Sequence, residues 1–322
     1  MPRAFVTGGS GFVGRNLITA LRERGDEVVA LARSDAAERA VKDAGATAVR
    51  GDLDDERALR AGLEGCAWAV HCAAKVDDFG PPAEFERVNV TGTANVLSAA
   101  HGAGASRFVH VSTEAVLVGG PPIVRADETW PRPTRPIGEY PRTKGMAEER
   151  VLAANAPGFA TVIVRPRFIW GCGDTTLLPR IAAAVRAGQF AWFGGGRYLT
   201  STCHVRNVCE GAILAAERGR GGEIYFLTDG PAVEFRAFVT QMLATQGVVP
   251  GNRSLPRPLA RALAAIAEEL WTWLALRGSP PLTRAALRLI GEEVTVDDTK
   301  ARRELGYTGR VSREEGLREL AG

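Results

Sequence analysis

The hydrophobic positions of the chain fall into short runs that alternate with longer amphipathic segments. The short runs are apolar almost throughout, whereas apolar residues in the longer segments recur at helical spacing. Strands of this kind belong to a parallel sheet that helices cover on both faces. The predicted strands are residues 3–7, 27–31, 46–49, 67–71, 107–112, 161–164 and 223–227. The predicted helices are residues 11–24, 35–44, 54–62, 82–103 and 138–155. The pattern therefore predicts an α/β fold with a doubly wound parallel sheet.

The second half of the chain has a different pattern, mostly helical and rich in Ala, Arg and Leu. Glycines and prolines interrupt it at residues 194–196 and 280–281, which indicates turns. We therefore predict a smaller, mostly helical lobe made of residues 174–202 and 229–322. Residues 1–173 form the sheet domain in this interpretation, and residues 203–228 return to it.

Composition narrows the class of protein. The 322 residues are 45% hydrophobic, and the 40 basic and 37 acidic side chains are not segregated, so no nucleic-acid partner is expected. Five cysteines without a close CxxC pair indicate neither a disulfide framework nor a metal site. An apolar run begins at Ala4, which leaves no room for a signal peptide, and no stretch reaches the roughly 18 apolar residues of a membrane span. A cytoplasmic protein is expected.

The first predicted strand leads into a glycine-rich loop, Thr7-Gly8-Gly9-Ser10-Gly11-Phe12-Val13-Gly14, and then into a helix. Glycine lets the backbone turn sharply and approach a pyrophosphate, while the N–H groups at a helix start favour an anion. The loop can be read at two spacings, beginning at Gly8 or at Gly9. In this position it predicts a dinucleotide site rather than a structural turn. The candidate cofactor-binding residues are Gly8, Gly11, Phe12, Val13 and Gly14.

The end of the second strand bears on the choice between NAD(H) and NADP(H). Sites selective for NAD(H) usually place a carboxylate there, which holds the ribose 2′-hydroxyl. This chain has Ala32 at that position, followed by Arg33. Because a guanidinium can hold a 2′-phosphate, the sequence favours NADP(H) over NAD(H). The alternative is that Arg33 lies along the adenine, which would permit either cofactor.

A candidate proton-handling pair lies in the helix predicted over residues 138–155. Tyr140 and Lys144 are four residues apart, which places them on one helix face. A tyrosine has an ordinary pKa of about 10. We expect the lysine ammonium and a positively charged nicotinamide to lower it, and Lys144 to hold the nicotinamide ribose as well. The spacing alone is common in helices, so the pair gains meaning only from its context.

That context is a resemblance to the extended short-chain dehydrogenases of the NAD-dependent epimerase/dehydratase superfamily. The glycine loop, Ser112-Thr113 at the end of the fifth strand and the Tyr140–Lys144 pair occur in the family's order, and the resemblance covers nearly the whole chain. It implies an NAD(P)-dependent oxidoreductase that interconverts a secondary alcohol and a ketone by hydride transfer. In it Thr113 holds the substrate oxygen, Tyr140 gives or takes the proton, and Lys144 supports both.

The resemblance implies further site residues. Additional cofactor contacts are Asp52 and Leu53 beside the adenine, Ala73 and Ala74 in the turn after the fourth strand, and Arg165 and Pro166 against the nicotinamide. Asn89 matches a helix asparagine that supports the active site, and His204 begins an element that we interpret as mainly structural. Read without the resemblance, Asp52 is a helix or turn cap and Asn89 a surface residue.

Two features separate branches of the family. Enzymes that act on sugar nucleotides usually carry an arginine where this chain has Thr200, and Arg197 would substitute only with a shifted loop. Residues 280–284 and 296–307 resemble instead the 3β-hydroxysteroid dehydrogenase and 2-alkyl-3-oxoalkanoate reductase branch, whose substrates are apolar alcohols or ketones. A nucleotide-sugar epimerase or dehydratase remains the alternative, followed by a regulator that binds the cofactor without catalysis.

A helix predicted near residues 259–276 carries several large apolar side chains, namely Ile266, Leu270, Trp271, Trp273 and Leu274. They would line a lipid-like pocket or lie against a membrane or a partner. Packing within the small lobe is the ordinary alternative, and we favour it. A homodimer through the helices at residues 82–103 and 138–155 follows from the resemblance alone.

Overall fold

The computed structural model describes residues 2–274 and 276–322 and contains a central parallel sheet flanked by helices. The strands are β1 (Arg3–Thr7), β2 (Glu27–Ala32), β3 (Thr47–Arg50), β4 (Trp68–His71), β5 (Arg107–Val111), β6 (Ala160–Pro166), β7 (Ile169–Trp170), β8 (Trp192–Phe193), β9 (Leu199–Thr200), β10 (Cys203–His204), β11 (Glu223–Leu227), β12 (Val233–Glu234) and β13 (Ser254–Leu255). The α-helices are α1 (Phe12–Glu23), α2 (Asp35–Asp43), α3 (Glu56–Leu63), α4 (Pro82–Phe85), α5 (Gly92–Gly102), α6 (Glu139–Ala153), α7 (Leu177–Arg186), α8 (Val205–Arg218), α9 (Phe235–Ala244), α10 (Arg257–Trp273), α11 (Arg284–Ile290), α12 (Thr299–Leu305) and α13 (Arg313–Ala321). A π-helical stretch, Glu86–Thr91, joins α4 to α5.

The central sheet has seven strands in the order β11-β6-β5-β4-β1-β2-β3, and every pair is parallel. From the adjacent strands β1 and β4, the chain winds outward in opposite directions. The carboxyl ends of these two strands therefore border a crevice at a topological switch point, where such sheets bind ligands. The predicted doubly wound α/β fold is confirmed.

Two hydrophobic layers hold helices against the two faces of the sheet. On one face the buried side chains come from α1, α8 and α12, among them Ile18, Val208 and Ala301. On the other face they come from α3, α5 and α6, among them Leu59 and Val151. The apolar strands predicted from the sequence thus meet helices on both sides, which explains why they are hydrophobic throughout.

A third cluster of aromatic side chains forms the core of the smaller lobe, and Phe168, Trp170, Trp192 and Phe238 are among its members. The chain enters this lobe several times. One part of the predicted division differs from the structure. Residues 299–307 were assigned to the lobe, but α12 packs against α8 and β11 within the core of the sheet domain.

The apolar side chains of α10 are mostly exposed, in contrast to the core packing that the sequence favoured. Ile266, Leu270, Trp273 and Leu274 are 57%, 44%, 83% and 51% exposed. The predicted helix reached residue 276; the structure ends α10 at Trp273, and Ala275 lies outside the described residues. Within those residues, no helix combines the length and the apolar character that crossing a membrane requires.

Candidate active site

The glycine loop after β1 is so tight that side chains would not fit at two of its positions. Gly8 has a φ of +69°, and a Cβ there would lie 2.6 Å from the backbone nitrogen of Ala73. A Cβ on Gly14 would overlap the carbonyl oxygen of Gly8, which already accepts a 2.9 Å hydrogen bond from the Gly11 N–H. Ala74 follows in the same turn and is half-buried. The loop therefore holds the backbone after β1 against the turn after β4, and only glycine permits this approach.

The start of α1 offers N–H groups to this crevice. Gly11 precedes the helix and has no side chain that could cap it, so the first N–H groups remain available for an anion. Phe12 and Val13 are half-buried at the helix start. A glycine-lined cradle at a switch point, with free N–H groups at its base, fits the pyrophosphate of a nicotinamide dinucleotide.

A loop that the sequence analysis missed lies beside this cradle. The Arg15 guanidinium of α1 donates a 3.3 Å hydrogen bond to the carbonyl of Gly173. Gly171 and Gly173 have φ values of +133° and +85°, so glycine is needed for the path of this loop. Asp174 then accepts hydrogen bonds from backbone N–H groups at the start of α7. Two glycines followed by a capping aspartate were the available signal.

The opposite end of the crevice contains the residues predicted to meet the adenosine. Arg33 directly follows β2 and is exposed, and Ser34 caps α2 by accepting from a backbone N–H. Asp52 is half-buried and accepts a 2.8 Å hydrogen bond from the Leu53 N–H. The Leu53 side chain is buried beneath Gly92, where a Cβ would lie 2.7 Å from it. The Leu53 side chain therefore packs within the fold, and its backbone carbonyl accepts a 3.0 Å hydrogen bond from Asn95.

The structure brings Thr113 and Tyr140 together. Thr113 lies just beyond β5, and its hydroxyl donates a 2.9 Å hydrogen bond to the Glu114 carboxylate and accepts one of 3.1 Å from the Ala115 N–H. The Thr113 hydroxyl also lies close enough to the phenol of Tyr140 to lower its pKa. Tyr140 and Lys144 both lie on α6, one turn apart. Strand β5 and helix α6 thus deliver the hydroxyl, the phenol and the lysine to one end of the sheet.

The surroundings of Tyr140 act against the lowered pKa expected from the sequence. Burial raises the pKa of Tyr140, the negative charge of Glu114 raises it further, and the nearby Thr113 hydroxyl acts in the opposite direction. Lys144 instead donates hydrogen bonds of 2.8 and 2.9 Å to the His110 imidazole and to a backbone carbonyl of β5. The phenol is therefore protonated at neutral pH, the state required of a proton donor.

Two buried histidines, to which the sequence analysis gave no role, lie beside Lys144. The His71 ring nitrogens contact the hydroxyls of Thr7 and Thr93 at 2.6 and 3.0 Å, and the ring stacks on that of His110. Burial, followed by the charge of Lys144, lowers the pKa of His71 to about 3 and the pKa of His110 well below its usual value. Both rings are neutral, so His110 can accept from Lys144. Burial lowers the pKa of Lys144 to about 8, which leaves it charged at neutral pH.

Asn89 connects the two sides of the site. It lies in the π-helical stretch, is 1% exposed, and exchanges hydrogen bonds of 2.7 and 3.1 Å with the backbone of Lys75. Its amide also donates a 3.0 Å hydrogen bond to the Thr143 hydroxyl, one residue before Lys144. π-Helical insertions are frequent at functional sites. The contacts match the supporting role that the resemblance implied, and they exclude the surface position.

Two buried ion pairs flank the site on or just after β6. Arg165, predicted to contact the cofactor, is 2% exposed and binds the Glu148 carboxylate at 2.8 and 2.6 Å. This pair connects β6 to α6. The Arg165 guanidinium, which was predicted to contact the nicotinamide, thus binds Glu148 through two of its nitrogens. Pro166 is buried at the end of the strand. Arg167, to which the sequence analysis gave no role, pairs with Glu114 at 3.0 Å.

Thr200 occupies the place of the arginine expected in enzymes that act on sugar nucleotides. It is fully buried in β9, and its hydroxyl accepts a 3.1 Å hydrogen bond from Arg167. Arg197 is exposed at the turn before this strand. The Thr200 side chain therefore makes a contact within the protein core, and the exposed Arg197 does not take the place of the missing arginine.

Comparison with known proteins agrees with this geometry. A family model described as the 3-beta hydroxysteroid dehydrogenase/isomerase family matches residues 5–257. The chain is 53% identical over 318 residues to the 4-hydroxy-2-methyl-3-oxo-4-farnesyl-3,4-dihydroquinoline-1-oxide ketoreductase of Stigmatella aurantiaca, covering 99% of this chain and 95% of that protein. It is 37% identical over 331 residues to the 2-alkyl-3-oxoalkanoate reductase of Stenotrophomonas maltophilia, with 99% and 98% covered. Among solved structures, MoeE5 in complex with UDP-glucose and NAD has a TM-score of 0.73 and 27% identity, with 99% and 97% covered.

Proposed function

Because the chain belongs to the 3-beta hydroxysteroid dehydrogenase/isomerase family and is an NAD(P)-dependent oxidoreductase of CH–OH and C=O groups, we propose that it reduces an apolar ketone with Tyr140 as the proton donor. The observation that carries the proposal is the placement of Thr113 just beyond β5 and of Tyr140 and Lys144 one turn apart on α6, all at one end of the sheet. This class of enzyme agrees with the resemblance found in the sequence motifs.

The proposed reaction divides the work among three side chains. The dinucleotide supplies the hydride when it is bound. Tyr140 gives its proton to the ketone oxygen, and Thr113 holds that oxygen in place. Lys144 stays charged until the pH rises past about 8, so its ammonium can bind the nicotinamide ribose and favour the phenolate left on Tyr140. Oxidation of the alcohol follows the same steps in reverse.

Two observations support an apolar substrate. The relative from Stigmatella aurantiaca is named for a ketone that carries a farnesyl chain, and the one from Stenotrophomonas maltophilia for 2-alkyl-3-oxoalkanoates. In this chain, Thr200 is buried and bonded to Arg167, where an arginine for the diphosphate of a sugar nucleotide would stand. The substrate class is therefore a ketone with a hydrophobic chain or ring system rather than a sugar nucleotide.

The finer features of the proposal concern the cofactor and the assembly. Arg33, exposed at the end of β2 and without an ion-pair partner among the described residues, supports NADP(H) over NAD(H). A homodimer through α5 and α6 and a cytoplasmic location depend on the resemblance alone. Light scattering on the purified protein would test the dimer.

The substitution Tyr140→Phe tests the proposed role directly. It removes the proton donor and keeps the ring, so we expect turnover of ketones to fall by roughly 10²- to 10⁴-fold. The affinity for NADPH, measured by fluorescence titration, should stay within about twofold. A panel of alkyl ketones, steroids and sugar nucleotides supplies the substrates, and cofactor oxidation gives the rate.

A matched control is Tyr225→Phe. Tyr225 is buried in β11 and its hydroxyl bonds Glu304, away from the glycine loop and α6. This variant should keep its turnover. Wild-type turnover in Tyr140→Phe would refute the proposed role, and oxidation of cofactor only with sugar nucleotides would refute the substrate class.

A further inference from the structure

A continuous set of buried contacts leads from the smaller lobe to Thr113, which lies near Tyr140. Arg167 donates to the carbonyl of Leu289 at 2.6 Å and to the Thr200 hydroxyl at 3.1 Å, both in elements that lie outside the central sheet. Its third contact is the Glu114 carboxylate at 3.0 Å. Glu114 in turn accepts a 2.9 Å hydrogen bond from the Thr113 hydroxyl. Arg167, Thr200, Glu114 and Thr113 are each at most 9% exposed, and Tyr140 is half-buried.

The position of Arg167 is costly to maintain. Its guanidinium is 3% exposed, its Nε has no hydrogen-bond partner among the described residues, and burial lowers its pKa. The next residue, Phe168, has a φ of +48°, a left-handed conformation that is strained for a bulky side chain. Burying an ion pair rarely stabilises a protein compared with apolar residues of the same volume. Strained backbone and buried charge together are typical of sites where function requires them.

The neighbouring ion pair also leaves one guanidinium nitrogen, Nη1 of Arg165, without a partner among the described residues, but its contacts differ. Arg165 and Glu148 make two hydrogen bonds to each other and join β6 to α6. Neither makes a hydrogen bond to Thr113 or Tyr140 within the described residues. Glu114, by contrast, gives one carboxylate oxygen to Arg167 and the other to Thr113. Because each carboxylate oxygen of Glu114 binds a different residue, Glu114 connects the ion pair to Thr113.

We propose that Glu114 and Arg167 are positioning residues of the proton-donating centre: Glu114 fixes the Thr113 hydroxyl against Tyr140, and Arg167 fixes Glu114. The inference rests on the proposed function, since it assumes that Thr113 and Tyr140 handle the proton. The Thr113 oxygen then has one defined place before substrate arrives, and its hydrogen needs only a rotation about the Cβ–Oγ bond to reach the ketone oxygen. A fixed oxygen position limits the reorganisation during the reaction to this rotation, in which the hydrogen leaves Glu114 for the ketone oxygen.

The charges around Tyr140 agree with this role. The groups that act on it come from three elements: Glu114 after β5, Asp78 before α4, and Glu148 on α6. All three raise the pKa of Tyr140, and Glu114 has the largest effect after burial. Glu114 therefore also helps to keep the donor protonated, and its removal would leave the phenol less strongly held in that state.

The first test is Glu114→Gln, which keeps the shape of the side chain and removes its charge. We expect kcat for ketone reduction to fall roughly 10- to 100-fold, the size of effect seen when a hydrogen bond to a charged group is lost. The KM values for NADPH and ketone should stay within about twofold, because neither ligand touches Glu114. The control is Glu210→Gln, which alters another buried carboxylate that accepts three hydrogen bonds from Thr308 and Arg310. It should keep its kcat.

A second variant separates positioning from folding, because Glu114→Gln leaves Arg167 buried without its partner. Glu114→Gln combined with Arg167→Met removes both charges, and paired replacements of this kind often restore stability. If the ion pair only stabilised the fold, kcat would recover together with the melting temperature. Our proposal expects kcat to stay at least tenfold low in a variant as stable as the wild type, and recovery would overturn it. If Tyr140→Phe is also fully active, the proposed function has failed; if Tyr140→Phe is inactive and the double variant active, only this inference has failed.

Discussion

Helices α1 and α10 carry similar amphipathic patterns, but their apolar side chains differ in exposure to solvent. The apolar stripe of α1 is buried, with Leu17, Ile18 and Leu21 no more than 1% exposed. The stripe of α10 faces outward, with Ile266 and Leu270 57% and 44% exposed. Helix α1 packs on the sheet beside α8, whereas α10 packs on α11 through small residues. An apolar stripe thus predicts that a helix forms, but it does not show that the same chain covers it.

The contrast between α1 and α10 reflects two regions of the molecule. In the sheet domain, buried side chains support the loops that border the crevice, and in the lobe, apolar side chains of α10 are exposed. In the sheet domain, Ile18 packs beneath the glycine loop, where a Cβ on Gly9 would lie 2.9 Å from it. In the lobe, the buried face of α10 consists of Ala260 and Ala264, which meet Leu287. The two regions should therefore respond differently to the same substitution.

Truncating one isoleucine in each helix tests the contrast with the largest expected effect. Ile18→Ala removes a side chain that is 0% exposed and should lower the free energy of unfolding by about 2 to 5 kcal/mol. Ile266→Ala removes one that is 57% exposed and should change it by less than about 0.5 kcal/mol. Urea denaturation of both variants measures the difference. Equal losses would mean that α10 is covered in solution, and the contrast would then be wrong.

A glycine substitution in each region has the next largest effect. A Cβ on Gly14 would overlap the Gly8 carbonyl oxygen, so Gly14→Ala should distort the cradle and weaken NADPH binding by about 100-fold or more, close to 2.7 kcal/mol. Gly251 in the lobe has no atom within 4 Å of such a Cβ. Gly251→Ala should therefore bind NADPH as the wild type does. Isothermal titration calorimetry gives both affinities, and normal binding by Gly14→Ala would show that the cofactor does not use this cradle.

The same contrast explains how much the sequence could predict. The positions of the strands and the glycine loop follow from local pattern, because each depends on residues close together in the chain. The stacked histidines do not: His71 and His110 meet only because β4 and β5 pair in register. Arg167 reaches Glu114 from another strand end for the same reason. The burial of Tyr140 and its proximity to Glu114, which raise its pKa, also come from contacts between elements and could not be predicted from the spacing of Tyr140 and Lys144.

The smallest expected effect sharpens the contrast at the adenosine end of the crevice. Arg33→Ala should weaken NADPH binding about tenfold and leave NADH binding unchanged, since only the 2′-phosphate would lose a charged hydrogen bond. The matched control is Arg277→Ala, an exposed arginine of the lobe, which should change neither affinity. Fluorescence titration with both cofactors separates the outcomes. An equal loss for NADPH and NADH would mean that Arg33 lies along the adenine and permits either cofactor. No loss for either would exclude Arg33 from the site, and selectivity would then come from other groups around the ribose.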